Sequence, residues 1–206
     1  MQRLECSDKS IAIAADEVKN GKVVVYPTDT VYGIGCDPYS DSAVEVIFEI
    51  KGRVEEKPLP LLCSSVQHAH RICKLNKLSM KLAEQFWPGA LTLISDLIDM
   101  KISRKVTAGA NKIGVRIPNH PCAVKLIDAC GGVLVGTSAN RSGSNAAKSA
   151  DEVVQTINGF DILLDGGKTQ LGIESTVIDV SEGSFVLIRE GYIKREQIEK
   201  VLGRHV

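Results

Sequence analysis

Lys51, Arg53 and Lys57 crowd the stretch KGRVEEKPLP (residues 51–60), with Glu55 and Glu56 between them. Lysine brings a mobile point charge and arginine a planar fork, so the trio can grip a polyphosphate. The two glutamates can equally pair with the cations as a solvated loop. Lys51 also closes a predicted helix, where a cation meets the helix dipole favourably.

Four more polar segments interrupt the apolar pattern. Each sits at the end of a predicted strand, where ligands of open α/β sheets gather. YPTDTVYGIGCD (26–37) offers the hydroxyls of Thr28 and Thr30 beside Gly33 and Gly35, which let backbone approach a ligand. GVRIPNHP (114–121) carries Arg116 alone on one strand face, with Val115 and Ile117 on the other. That arginine is either an edge-strand residue in water or a carboxylate clamp. His120, between Asn119 and Pro121, reads as a structural residue at a helix start. GTSANRSGSN (136–145) sets Thr137, Ser138, Asn140, Ser142 and Ser144 beside Gly136 and Gly143. Such a nest of donors suits an anion, whereas a helix cap would need only one of them. GIESTVID (172–179) and LIREG (187–191) add Ser175, Thr176 and Arg189.

Absent patterns narrow the chemistry. There is no GxGxxG dinucleotide fingerprint, no Walker A loop, no GxSxG elbow and no HExxH helix. Cations and hydroxyls without a marked nucleophile form a kit for positioning phosphates rather than for triad hydrolysis.

The elements that must position these groups alternate in period. A helix capped by Ser7 or Asp8 stops at Gly21, and a second, capped by Ser40 or Asp41, stops at Gly52. Further helical stretches lie near 65–75, 77–87, 120–130 and 150–158. Strands are predicted at 22–27, 59–64, 90–95, 112–118, 132–138, 161–165, 175–180 and 184–190. This alternation, denser in strands towards the end, predicts an α/β fold with a twisted mixed, partly parallel sheet and flanking helices. Residues 1–206 contain no repeat and no linker, so one domain is expected.

With 206 residues, 44% of them hydrophobic and 24% charged, the composition suits a soluble globular protein. Lys plus Arg equals Asp plus Glu at 25 each, so an anion must be held by a local cluster rather than by a broad basic field. The six cysteines (6, 36, 63, 73, 122 and 130) form no CxxC pair. With His68 and His70 they offer no zinc-ligand spacing, and they read as small core residues of a reducing compartment. A polar N-terminus and the lack of about 18 consecutive apolar residues point to the cytoplasm, without a membrane partner.

Taken in order, PTDTVYGIGCD, KGRVEEKPL, WPGALTLI, VRIPNHP, TSANRSG, GIESTVID and LIREG resemble the YrdC-like family of threonylcarbamoyl-adenylate synthases, in its single-domain form. The resemblance runs over nearly the whole chain and implies a YrdC-like fold with a concave, positively lined surface. It implies a nucleotidyltransferase that forms threonylcarbamoyl-AMP and pyrophosphate from L-threonine, bicarbonate and ATP. Partner proteins then pass the threonylcarbamoyl group to an adenosine of tRNA. It implies binding of double-stranded RNA or tRNA as well. By motif position, Lys51 and Arg53 are the catalytic pair on the nucleotide phosphates. Lys57, Ser138, Asn140, Ser175 and Arg189 complete the ATP side. Thr28, Thr30, Arg116, Thr137 and Thr176 fall on the threonine side, with Arg116 on the carboxylate. ATP is expected as substrate with Mg²⁺, whose ligands the sequence does not identify, and no tightly bound cofactor is expected. Departures from the family pattern are Val54, Lys112, Ala146 and the lack of a His in LPLLCSS.

A binding module could use the same cationic face for RNA without turnover, and a nucleotide sensor could keep only the ATP residues. Arg53→Ala is expected to abolish pyrophosphate release with the circular dichroism spectrum unchanged; undiminished turnover would remove the role given to Arg53.

Overall fold

The computed structural model describes residues 1–52 and 57–203. Arg53, which the sequence assigns to the phosphates, lies outside the described residues, as do Val54, Glu55 and Glu56.

Helices begin where a short polar side chain can satisfy a free amide of the first turn. Ser7 caps α1 (Asp8–Lys19) by accepting from the Ser10 amide, and Ser40 caps α2 (Asp41–Lys51) by accepting from Ala43. Ser65, Asn76 and Ser149 do the same for α3 (Val66–Ile72), α4 (Lys77–Phe86) and α7 (Ala150–Thr156). Pro121 opens α6 (Pro121–Ala129), where its missing N–H costs nothing. Two further helices, α5 (Arg104–Thr107) and α8 (Arg195–Leu202), were not legible as apolar periods.

The strands are β1 (Gln2–Glu5), β2 (Val24–Tyr26), β3 (Gly33–Gly35), β4 (Leu61–Cys63), β5 (Leu91–Asp96) and β6 (Lys112–Arg116). They continue with β7 (Val133–Val135), β8 (Thr137–Ser138), β9 (Ile162–Asp165), β10 (Thr176–Asp179) and β11 (Val186–Arg189). They build two mixed sheets rather than the single one expected. The orders are β1-β9-β2-β3-β8 and β11-β10-β5-β6-β4-β7. In the first, β9 pairs in parallel with β1 and β2, while β3 runs antiparallel to β2 and β8. In the second, the β10–β5 and β6–β4 pairs are parallel and the other three antiparallel.

The continuous apolar runs follow from burial on both strand faces. Along β2, Val25 joins one apolar core and Val24 with Tyr26 the other. Leu163 against Ile162 and Leu164 in β9 divides the same way, as does Leu62 against Leu61 and Cys63 in β4. Alternate side chains thus pack on opposite layers. One of these is the α1–α6 pair, which contributes Ile11, Ala14, Ala15, Val18, Leu126 and Ile127.

The chain leaves one sheet for the other between β7 and β8, at Gly136. Beside this crossing the two sheets nearly touch. A Cβ on Gly35 would lie 1.9 Å from the carbonyl oxygen of Val135, and the Val135 amide donates to the Cys36 carbonyl at 3.0 Å. Only a hydrogen fits there.

Cys36, Cys63 and Cys73 are buried free thiols, as expected of core residues, and burial pushes the Cys73 thiol up to about 12. Cys6 and Cys122 depart from that expectation. They form a disulfide that ties the end of β1 to the first turn of α6. Their 116-residue separation hides the pairing from any spacing argument. No described helix is long and apolar enough to cross a membrane.

Gly35→Ala is expected to destabilise the fold by about 3 kcal/mol or more, because backbone rather than a flexible side chain opposes the added methyl. Urea denaturation followed by circular dichroism measures it; a loss below about 1 kcal/mol would show that the two sheets can separate there at little cost.

Candidate functional site

Residues from both sheets line one cavity of about 330 Å³. The first sheet contributes Thr28, Thr30, Tyr32 and Gly33 around the β2–β3 connection, and Thr137 and Ser138 from β8. The second contributes Leu62, Thr92, Ile94, Arg116, Val177, Ile188 and Arg189, with Glu174 and Ser175 just before β10. A polar rim with two arginines therefore meets an apolar wall. Gly136 keeps the junction open: a Cβ there would lie 2.3 Å from Leu62 Cγ.

Arg116 ends β6, which pairs on both sides, so it is a buried residue of an interior strand and not an edge arginine in water. Val115 and Ile117 face the core, as the alternation predicted. Its guanidinium is held at three corners. Nε donates to the Gly89 carbonyl at 2.8 Å, Nη1 to Thr30 Oγ1 at 2.9 Å, and Nη2 to Asp29 Oδ1 at 2.6 Å. Burial lowers its pKa, opposed by the Asp29 carboxylate, and nearby Arg189 lowers it further. A guanidinium has five N–H donors, and these three bonds leave two unspent, one on each Nη.

The loop hydroxyls are largely spent on one another. Thr28 Oγ1 donates to the Val31 carbonyl at 2.6 Å and accepts from the amides of Thr30 and Val31. Its single hydrogen being used, the 3.0 Å contact with Thr30 Oγ1 is donated by Thr30. Neither threonine keeps a hydroxyl hydrogen for a ligand. Ser138 Oγ donates to Asn140 Oδ1 at 2.7 Å. Thr92 and Ser175 share one hydrogen bond of 2.9 Å, which leaves one hydroxyl hydrogen of the pair for another acceptor. Thr137 lines the cavity without a side-chain partner among the described residues.

Lys51 is buried and turned under the 138–140 segment. Its ammonium donates to the Ser138 carbonyl at 2.5 Å, the Asn140 carbonyl at 2.9 Å and Asn140 Oδ1 at 3.2 Å. Asn140 in turn donates to the Ser144 carbonyl at 2.5 Å. These two residues shape the turn behind Ser138 rather than line the cavity. Lys57 is exposed next to Pro58, itself a lining residue. Thr176 stands apart, its hydroxyl donating to the Ile193 carbonyl and accepting from the Gly191 amide. Arg189 lies across the rim: Nη1 donates to Glu174 at 2.8 Å and Nη2 to the Ser175 carbonyl at 2.9 Å. His120 is the N-cap residue of α6 without a cap bond, and burial lowers its pKa.

Of the residues singled out from the sequence, the fold brings Thr28, Thr30, Arg116, Thr137, Ser138, Ser175 and Arg189 onto one cavity. Asp29 and Thr92 were missed. Asp29 sits between two threonines already noted, and Thr92 is a hydroxyl flanked by apolar residues in a strand run, so each had a signal. Among the described residues there is no cluster of three or more His, Cys, Asp or Glu that could hold a metal ion.

Two mixed sheets around a cavity that offers unspent guanidinium and hydroxyl donors define an α/β protein with a polar-rimmed pocket between its sheets. The chain belongs to the Sua5/YciO/YrdC family, whose model, described as "Telomere recombination", matches residues 16–191. It is similar to the threonylcarbamoyl-AMP synthases of Pyrococcus abyssi, 40% identical over 94% of this chain, and of Bacillus subtilis, 38% identical over 97%. The chain spans 57% and 58% of those relatives' lengths. It also superposes on the crystal structure of P. abyssi Sua5 complexed with L-threonine, with a TM-score of 0.92 and 38% identity over 98% of this chain and 60% of that one.

Lys51→Met is expected to cost about 2 kcal/mol, because it removes three charge-assisted hydrogen bonds and leaves the Asn140 carbonyl without its donor. Arg189→Ala, with a side chain 45% exposed, should cost under about 1 kcal/mol. Thermal denaturation of both variants checks the contrast; equal losses would show that the Lys51 contacts do not hold the turn.

Proposed function

We propose that the protein is an L-threonylcarbamoyladenylate synthase, joining L-threonine, bicarbonate and ATP for the modification of tRNA. The observation that carries this reading is the Arg116 guanidinium, held from behind while two of its N–H groups remain for a carboxylate. The similarity to proteins named threonylcarbamoyl-AMP synthase supports it.

In this reading the threonine carboxylate meets Arg116. Thr28, Thr30 and Thr137 line its subsite, and Thr176 braces the strand beneath. The nucleotide lies towards Ser138, Ser175 and Arg189. Lys51 and Asn140 hold the Ser138 turn, and the phosphates fall to Arg53 and Lys57 on the following segment. Magnesium would arrive on the nucleotide's own phosphates as part of that substrate.

The chemistry then needs alignment more than acid–base groups. The threonine amine attacks the bicarbonate carbon and water leaves, giving a carbamate. A carbamate oxygen attacks the α-phosphorus, a new P–O bond forms, and the bond to pyrophosphate breaks. The nucleophile is already anionic, so the protein's contribution is to hold it in line and offset the charge.

Residues 1–206 are taken as one catalytic domain. Transfer of the group from the adenylate to tRNA falls to a partner protein, and a cytoplasmic location suits that role.

With purified protein, pyrophosphate release is expected only when ATP, L-threonine and bicarbonate are all present, with threonylcarbamoyl-AMP detected by mass spectrometry. Release that is independent of threonine or of bicarbonate would overturn the reading.

A further inference from the structure

We propose that Asp29 is the positioning residue of the amino-acid subsite, acting through Arg116; the inference rests on the threonine site proposed above.

Asp29 is almost fully buried, and its Oδ1 performs two tasks at once. It accepts from Arg116 Nη2 at 2.6 Å and from the Asn119 amide at 3.1 Å. One oxygen thereby joins the β2–β3 connection, the end of β6 and the loop leading to α6. Its other oxygen, Oδ2, is buried without a hydrogen-bond partner among the described residues. The backbone of the same residue is fixed as well, since the Asp29 carbonyl accepts from the Leu171 amide at 2.9 Å.

Two effects of the carboxylate oppose each other. As a negative charge beside Arg116, it partly cancels the attraction for a ligand carboxylate. As a hydrogen-bonded prop, it aims Nη2 so that the remaining N–H of that nitrogen points where a ligand oxygen can sit. Bidentate recognition depends on the plane and direction of the fork, whereas an uncancelled but loose guanidinium would swing towards water. Positioning therefore outweighs cancellation. Thr30 Oγ1 and the Gly89 carbonyl set the other two corners, and without Asp29 the guanidinium could still pivot about them. Both of the carboxylate's hydrogen bonds among the described residues fall on Oδ1, so the direction of Nη2 is set through that one oxygen.

The test is steady-state kinetics with each substrate varied in turn. Asp29→Asn keeps the shape and removes the charge; Asp29→Glu keeps the charge and moves it by one methylene. Both are expected to raise the KM for L-threonine about tenfold or more, the scale of one charge-assisted hydrogen bond, with kcat and the KM for ATP changed by less than about twofold. Far-UV circular dichroism establishes that each variant is folded. A purely structural role would lower kcat or raise both KM values together, and that outcome overturns the proposal. So does an unchanged or lowered threonine KM in a folded variant, the second being the result if charge cancellation dominated. Should Asp29→Asn fail to fold, Asp29→Glu decides by the same criteria. Wild-type protein that shows no threonine dependence overturns the functional reading itself, and this inference with it; a threonine-dependent wild type with indifferent variants overturns only the inference.

Discussion

A guanidinium removed from water must find a counter-charge and acceptors for its N–H groups, or leave its place. Arg116 stands in an interior strand of a six-stranded sheet, so this requirement organises everything around it. The β2–β3 connection supplies Asp29 and Thr30, and Gly89, two residues before β5, supplies its carbonyl. The first belongs to the other sheet, and the second leads into β5, the neighbour of β6 in its own sheet. Pairing of β5 with β6 brings Gly89 close, whereas Asp29 and Thr30 arrive with the other sheet, so the arginine is fully held only once the two sheets have come together.

The same logic runs through the smaller polar groups. Thr28 spends its hydrogen on its own turn, Thr30 spends its hydrogen on Thr28, and Ser138 spends its hydrogen on Asn140. Lys51, a cation that a list of residue types would assign to a ligand, uses its ammonium on the backbone of the 138–140 turn. Polar side chains in such a cavity do two jobs. Some hold backbone that would otherwise lose its hydrogen bonds on burial, and only the remaining donors can read a ligand. Counting hydrogens separates the two sets: two N–H groups of Arg116, one Nη1 N–H of Arg189, the hydroxyl of Thr137 and one hydrogen of the Thr92–Ser175 pair remain.

Much of this architecture was legible in the chain. Ser7, Ser40 and Gly52 bound their helices as expected, and the apolar runs at 22–27, 59–64 and 132–138 became strands buried on both faces. The strands that escaped notice lack a pattern of their own. β1 is a mostly exposed QRLE, held by parallel pairing with β9, and β3 is GIG, held between β2 and β8. Their conformation comes from their partners rather than from local preference. The split into two sheets was hidden for a related reason. Of the three places where the chain passes between the sheets, one is at Gly136, inside what reads as a single strand from 132 to 138.

The site residues divide along the same line. Residue type and alternation alone determined that Arg116 faces away from Val115 and Ile117, that hydroxyl-rich turns end several strands, and that the chemistry favours anions over nucleophilic attack. These are local properties, set by the two-residue period of a strand and by what each side chain can donate. Which groups meet, and which are already committed when they do, only the tertiary structure decided. Asp29 and Arg116 are 87 residues apart, and so nothing in their local sequence could show that one holds the other, or that Cys6 and Cys122 would be joined. Partnership is a property of distance in space, and the chain fixes that distance only by burying both layers of its core at once.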